Sequence, residues 1–415
     1  MPDPSESRAH TTVQYSVSRG VTVVKIGGAA LTNKSTFETI NTVVFTEVVS
    51  QIVQVWGQQR GKLIVVHGAG SFGHFQAKKY GVQTGTSRWD EKKQRNENSI
   101  QSNTDTTTSD LAELSMGFCL TRQSVTRLCT LFVDALIVAG IPAVSVPVLP
   151  MVFTCDREPV SSRDSMQCVN MLLARGMLPI MHGDAVLDTA QFCSILSGDT
   201  ILRELSVNKS YNVSSVVFMT NVLGIYDRPP HRLDKTNTPP VIQVSDMHSM
   251  SIHEGSSSDT TSGETIFDRN SMTFTHGDQS DHIGGSPRLL RHVTVSKLGS
   301  KVTIWNGHHL QRKCSTPRIA LTDTDQNLTN IVLGASRDTD VTGGMNTKIA
   351  EARAIADAGV PVIIVEAGTQ HSLQALRDGV AIVRRIEETG GDVGEWRGTV
   401  VSSTDMNVDC ITDGN

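Results

Sequence analysis

Val21-Thr-Val-Val-Lys-Ile-Gly-Gly28 is a β-branched run that stops on two glycines, and after a polar loop Ile40, Val44, Val48, Ile52 and Val55 recur at helical spacing across residues 37–56. That order of strand, loop and helix predicts one unit of a parallel sheet. The unit recurs at once: residues 62–66 read as a buried strand, residues 67–73 are rich in glycine, and those that follow can open a helix. Further strands are expected at 142–146, 178–181, 215–219 and 360–365, with helical stretches between them. Strands alternating with helices imply an α/β fold whose mainly parallel sheet is covered on both faces.

A chain of 415 residues has ample length for a large core. The 38% hydrophobic content and 34 glycines suit an α/β protein with several tight turns and some polar sequence outside the core. A formal net charge of −5 argues against a general nucleic-acid binder. No apolar run reaches the length of a membrane span. Residues 1–18 are polar and lack the apolar stretch of a secretory signal, so a frayed tail and a cytoplasmic location are expected. Cys119, Cys129, Cys155, Cys168, Cys193, Cys314 and Cys410 are scattered and include no Cys-x-x-Cys pair, which predicts reduced thiols and no metal centre. Residues 84–110 are rich in Thr, Ser, Asn and Gln. Residues 228–337 have little apolar periodicity beyond a strand hidden at 302–305. Both are expected to be mobile insertions, and the residues after 402 to be a tail.

Phosphate binding needs backbone N–H groups aimed at one point, and glycine permits the backbone angles and the close approach this demands. Four segments have that character: Lys25-Ile-Gly-Gly-Ala29, His67-Gly-Ala-Gly-Ser-Phe-Gly-His74, Ser197-Gly-Asp199 and Asp340-Val-Thr-Gly-Gly-Met-Asn-Thr-Lys348. None has the Gly-x-x-x-x-Gly-Lys-[Ser/Thr] spacing of a P-loop, and the second lacks the dinucleotide spacing. Singly, each has a plainer reading: a strand-end turn, a helix cap at Asp199, a solvated loop lysine at Lys34, a helix-start histidine at His74. His67 and His182 read as structural, and Asp184 as either a turn residue or a weak site candidate. Together they point elsewhere. Phosphoryl transfer between anions needs positioning and positive charge, not a covalent nucleophile, and Lys25, Lys34 and Lys348 each lie in or beside a glycine loop.

These segments, with Pro179-Ile-Met-His-Gly-Asp184, occur in an order that resembles the isopentenyl phosphate kinases of the amino acid kinase superfamily, over about residues 21–227 and 338–401. Gly-Ser-Phe-Gly-His74 carries the narrower likeness, because relatives acting on carboxylates or carbamate place no histidine there. The resemblance implies an open αβα sandwich of amino acid kinase type. Residues 19–195 would form an acceptor lobe and 196–402 a nucleotide lobe, interrupted by 84–110 and 228–337 and flanked by tails at 1–18 and 403–415. It implies ATP-dependent phosphorylation of isopentenyl monophosphate to the diphosphate, in isoprenoid precursor synthesis. The alternatives are another small phosphate, phosphonate or acyl acceptor, or a non-catalytic nucleotide or metabolite sensor. Implied catalytic residues are Lys34, Lys25 and His74. Lys25, Gly27, Gly28, Ala29, Gly70, Asp199, Gly344 and Lys348 would serve ATP, and Ala69, Gly73, His74 and Gly183 the acceptor. Mg²⁺ would arrive with ATP, held mainly by phosphate oxygens and by no protein ligand. The partners implied are the prenyl phosphate, ATP and a second copy of the chain in a homodimer, with no nucleic acid or membrane. The sequence departs from the pattern in three places: Thr220-Asn221 where Thr-Asp is usual, Thr200 where archaeal relatives often have a second acid, and the length of the 228–337 insertion.

Overall fold

The computed structural model describes residues 20–86, 105–160, 167–226, 242–243, 289–295, 302–305, 319–321, 344–389 and 393–403. The strands are β1 (Val21–Ile26), β2 (Thr39–Ile40), β3 (Leu63–His67), β4 (Ala143–Ser145), β5 (Phe153–Cys155), β6 (Glu158–Val160), β7 (Leu178–His182), β8 (Asp184–Asp188), β9 (Phe192–Leu196), β10 (Val213–Thr220), β11 (Ile225–Tyr226), β12 (Ile242–Gln243), β13 (Leu289–Leu290), β14 (His292–Val295), β15 (Val302–Trp305), β16 (Ile319–Leu321), β17 (Val362–Glu366) and β18 (Thr399–Ser403). The helices are α1 (Gly28–Leu31), α2 (Thr42–Gln59), α3 (His74–Lys79), α4 (Asp105–Val138), α5 (Gln167–Ala174), α6 (Gly198–Val207), α7 (Gly344–Asp357) and α8 (Gln370–Thr389).

A ten-stranded sheet in the order β16-β15-β14-β18-β17-β10-β1-β3-β7-β4 divides the core. It is parallel from β4 through β17 and turns antiparallel at β17–β18, β14–β15 and β15–β16. Side-chain alternation along β1 sends Val24 and Ile26 to one face, with α2, α4 and α8, and Val21 and Val23 to the other, with α5, α6 and α7. The two apolar clusters make the expected αβα sandwich. A second sheet, β6-β5-β8-β9, branches off after β7. Among the described residues no helix is long and apolar enough to cross a membrane.

The structure corrects several expected boundaries. The helix anticipated across residues 37–56 starts at Thr42, because the Asn41 side chain accepts from the Val44 amide and caps it, leaving Thr39 and Ile40 as a strand. Within 84–110, α4 already runs from Asp105, and residues 87–104 lie outside the described set. The stretch 228–337 is no uniform insertion: it supplies β12 to β16, including the strand anticipated at 302–305. Leu290 and Val293 are buried in the core, and β14 lies parallel to β18 with His292 opposite Val400. Runs of two to four residues are too short to show a period, and β18, the parallel partner of β14, lies far along the chain, so neither is visible locally. The boundary at 195/196 falls inside β9, and the central sheet runs through both halves. Ser403, assigned to a tail, is a buried residue of β18. Residues 1–18, 404–415 and 340–343 fall outside the described residues.

Candidate active site

Loops that follow parallel strands leave from one edge of the sheet, so the turns after β1, β3 and β7 converge. Here their backbones touch. A Cβ on Gly28 would collide with Gly70, one on Gly68 would lie 2.6 Å from the Gly28 nitrogen, and one on Gly183 2.9 Å from the Gly198 nitrogen. Gly70 also has φ +53°, a left-handed conformation costly for any side chain. Thr32 and Ser71, to which the sequence assigned no role, stitch the first two loops together. The Thr32 hydroxyl donates to the Gly28 carbonyl at 2.7 Å and accepts from the Ser71 amide at 2.9 Å, while Ser71 Oγ donates to the Thr39 carbonyl at 3.1 Å. The Gly183 amide donates to the His67 carbonyl at 3.1 Å, which ties the β7 turn to the second loop.

Lys25 alternates with Val24 and Ile26, so its side chain leaves β1 on the face that holds α6. Its Nζ lies 2.5 Å from Asp199 Oδ1, and Lys348 Nζ, from the first turn of α7, lies 3.5 Å from Asp199 Oδ2. Asp199 does not cap α6: Ser197 Oγ accepts from the Thr200 amide at 3.0 Å, which leaves the Asp199 carboxylate to the lysines. Burial alone would raise the Asp199 pKa, but the ammonium groups of Lys25 and Lys348 outweigh it and hold the carboxyl below its ordinary value. Two cations from opposite ends of the sequence are thus fixed beside the glycine loops. Lys25, Asp199 and Lys348 were each expected there, but no local pattern shows that the acid joins the two lysines.

His74 opens α3, and its Nδ1–H donates to the Gly70 carbonyl at 2.6 Å; since a carbonyl can only accept, the tautomer is set. Ala69 leads the short helical turn Gly70–Phe72, and a Cβ on Gly73 would collide with that of Ala69. Gly27 donates its amide to the Met219 carbonyl at 2.8 Å, Ala29 lies in α1, and Gly344 is the first residue of α7. Lys34 sits half-buried in the loop between α1 and β2, shaped by Asn33 Oδ1 accepting from the Ser35 amide at 3.1 Å and the Ser35 hydroxyl at 2.7 Å. The strand β12 pairs with β2 behind that loop, Ile242 opposite Ile40.

Beneath the loops, His67 and His182 are register partners on β3 and β7 with ring centroids 5.4 Å apart. Each donates its Nδ1–H to the next carbonyl, Gly68 or Gly183, at 3.1 Å. Desolvation first, then the neighbouring ring, lowers His67 to about 3, and desolvation lowers His182 to about 4. Asp184, buried and 3.1 Å from Arg122 Nη1, is pushed up to about 7 by desolvation, which Arg122 only partly offsets. Both histidines therefore read as structural, as expected. Asp184 is a buried acid in an ion pair with α4, not a plain turn residue.

The pH dependence follows from these directions. As pH falls below 6.5 the unfolded histidines take up protons that the folded ones refuse, so their contribution to stability is lost. Asp184 acts oppositely, because below about 7 the folded acid keeps a proton that the unfolded one releases. Replacing His182 by asparagine removes one acid-sensitive group. Relative to wild type, the variant is expected to gain about 2 kcal/mol in urea unfolding between pH 7 and pH 5. A difference that does not change with pH would contradict the buried neutral assignment.

The departures from the family pattern also have places. Thr220 Oγ1 accepts from the Val222 amide at 3.2 Å and donates to its carbonyl at 2.7 Å, so a hydroxyl builds that turn and the exposed Asn221 is not needed to hold it. The Thr200 hydroxyl donates to Glu351 Oε1 at 3.3 Å. Glu351 and Arg203 escaped the sequence reading because nothing local links a residue of α6 to one of α7.

The model of the amino acid kinase family matches residues 20–283. The chain is 31% identical over 388 residues to an isopentenyl phosphate kinase of Arabidopsis thaliana, covering 85% of this chain and 89% of that one. It is 30% identical over 213 residues to an isopentenyl phosphate kinase of Methanothermobacter thermautotrophicus, covering 51% of this chain and 70% of that one. Among solved structures, one described as an X-ray structure of isopentenyl phosphate kinase superposes with a TM-score of 0.53 at 21% identity, over 92% of this chain and 99% of that one, which supports the fold. A family match over most of the chain, and a relative aligned almost end to end, show that the chain belongs to the amino acid kinase family, in its isopentenyl phosphate kinase branch.

Proposed function

We propose that this chain transfers the γ-phosphoryl group of ATP to isopentenyl monophosphate, giving isopentenyl diphosphate and ADP. One observation carries the chemistry: Lys25 and Lys348 meet on the buried Asp199 beside glycine loops packed backbone to backbone. The branch to which the relatives belong supplies the acceptor. In this reading Lys25, with Gly27, Gly28, Ala29 and Gly70, faces the ATP phosphates, and Lys348, Gly344 and Asp199 complete the nucleotide side. Lys34 neutralises charge on the moving phosphoryl group, and His74, with Ala69, Gly73 and Gly183, receives the acceptor phosphate. Mg²⁺ bound to the ATP phosphates would supply screening of their charge, with no residue of this chain assigned to hold it. A homodimer and a cytoplasmic location belong to the same reading.

The acceptor oxygen already belongs to a phosphate monoester, which is largely ionised near neutral pH, so no strong general base is required. The harder task is to bring two anions together and hold them in line. His74, oriented by Gly70, can donate from Nε2 to an anion when its ring is charged, while Nδ1 stays engaged with the carbonyl. Paired substitutions test the division of labour. His74→Ala is expected to raise the KM for isopentenyl phosphate about tenfold to a hundredfold, with the KM for ATP within about twofold. Lys34→Ala should instead lower kcat by about a hundredfold or more and leave both KM values close to wild type. Small, equal effects from both would sink the assignment.

A further inference from the structure

Lys348 reaches Asp199 from α7, which packs on α6 through an apolar seam. Ile201, Leu202 and Leu205 of α6 share a cluster with Ala352, Ile355 and Ala356 of α7. One turn along both helices lies a second polar rung. Arg203 Nη1 is 3.1 Å from Glu351 Oε2, and the Thr200 hydroxyl donates to Glu351 Oε1 at 3.3 Å. Glu351 follows Lys348 by one turn, and Arg203 follows Asp199 and Thr200 by one turn, so the two rungs lie between the same pair of helices. The Glu351 side chain is only 9% exposed, a costly place for a carboxylate without a partner. The other acids near Arg203 do not link the helices: Glu204, at 3.2 Å, is its own neighbour on α6, and Glu158, at 3.9 Å, is on β6.

We propose that Arg203 and Glu351 are positioning residues, whose ion pair sets the rotation of α7 on α6 and so holds the Lys348 ammonium at Asp199 and the nucleotide phosphates. The rungs carry opposite polarity, acid on α6 to base on α7 and then base on α6 to acid on α7, so a slip by one turn would set Lys348 against Arg203. This fixes the register as well as the rotation. The inference rests on the nucleotide role of Lys348 stated above.

The test is steady-state kinetics on variants whose folding is first checked by thermal melting. Glu351→Ala is expected to raise the KM for ATP about tenfold while the KM for isopentenyl phosphate stays within about twofold. The exchanged pair, Arg203→Glu with Glu351→Arg, should recover most of that loss. In a Lys348→Ala background, Glu351→Ala should add nothing, because the two act on ATP through one ammonium. Glu351→Gln, which keeps the size and the Thr200 contact, serves as the folded comparison if the alanine variant is unstable, with an increase in the same direction. A further tenfold rise in the Lys348→Ala background, or an unchanged KM for ATP in a folded Glu351 variant, overturns the proposal. If Lys348→Ala alone leaves the KM for ATP untouched, the nucleotide role of Lys348 fails, and this inference fails with it. That outcome is distinct from additivity between the two sites.

Discussion

Asp199→Asn is expected to lower kcat by about a thousandfold. The carboxylate holds two ammonium groups in place, Lys25 at 2.5 Å and Lys348 at 3.5 Å, and an amide of the same size offers neither of them a counter-charge. Lys25 is 4% exposed, so losing the counter-charge of Asp199 beside a buried ammonium is worth about 3–5 kcal/mol of stability. ATP brings the missing negative charge. The variant should therefore melt well below wild type without nucleotide and show a larger upward shift in Tm when ATP is added. Thermal scans with and without ATP, beside single-turnover rates, read both effects. A near-normal kcat, or an ATP-induced shift no larger than that of wild type, would mean that Asp199 does not organise the lysines.

Gly70→Ala is expected to be nearly as damaging, by a different route. The new Cβ would overlap Thr32 Oγ1 and lie 2.5 Å from the Gly28 carbonyl oxygen, at a residue whose φ of +53° already disfavours a side chain. Left-handed strain and overpacking together cost about 3 kcal/mol. The first and second loops would be forced apart, so activity should fall at least a hundredfold even where the protein stays folded. Gly57→Ala is the control. Gly57 lies inside α2 with nothing within 4 Å of an added Cβ, so that substitution should stabilise the chain by up to about 1 kcal/mol and leave turnover unchanged. Equal unfolding midpoints for the two variants would refute the claim that backbone contact between the loops builds the site.

The fold was legible wherever a run was long enough to show a period. β1, β3, β10 and β17 announce themselves as β-branched strings and β7 as a short apolar one, and the glycine turns after β1, β3 and β7 mark the edge where the site forms. Lys25 could be placed among the glycine loops, and His74 at the end of the second of them, from their neighbours in the sequence. What stayed hidden depends on pairing across distance. β13 and β14 are too short to read as strands until β11, about sixty residues earlier, and β18, about a hundred residues later, give them partners. Thr32 and Ser71 carry no motif of their own, and their bond joins loops that no local pattern connects. The same holds for Asp199: the cap that was its plainer reading falls to Ser197, two residues earlier, and only the arrival of α7 shows the acid between two lysines.

The most direct measurement of the central claim is phosphoryl transfer itself. The purified chain would be incubated with ATP, Mg²⁺ and isopentenyl monophosphate, and the new diphosphate followed by ³¹P NMR. Dimethylallyl phosphate, an acetylated amino acid and a nucleoside monophosphate would be offered in competition. A β-phosphorus resonance on the prenyl diphosphate is expected to grow in step with ADP, with little product from the last two acceptors, and to be lost in Asp199→Asn. ATP binding without any diphosphate product, or preferential turnover of a non-prenyl acceptor, would contradict it.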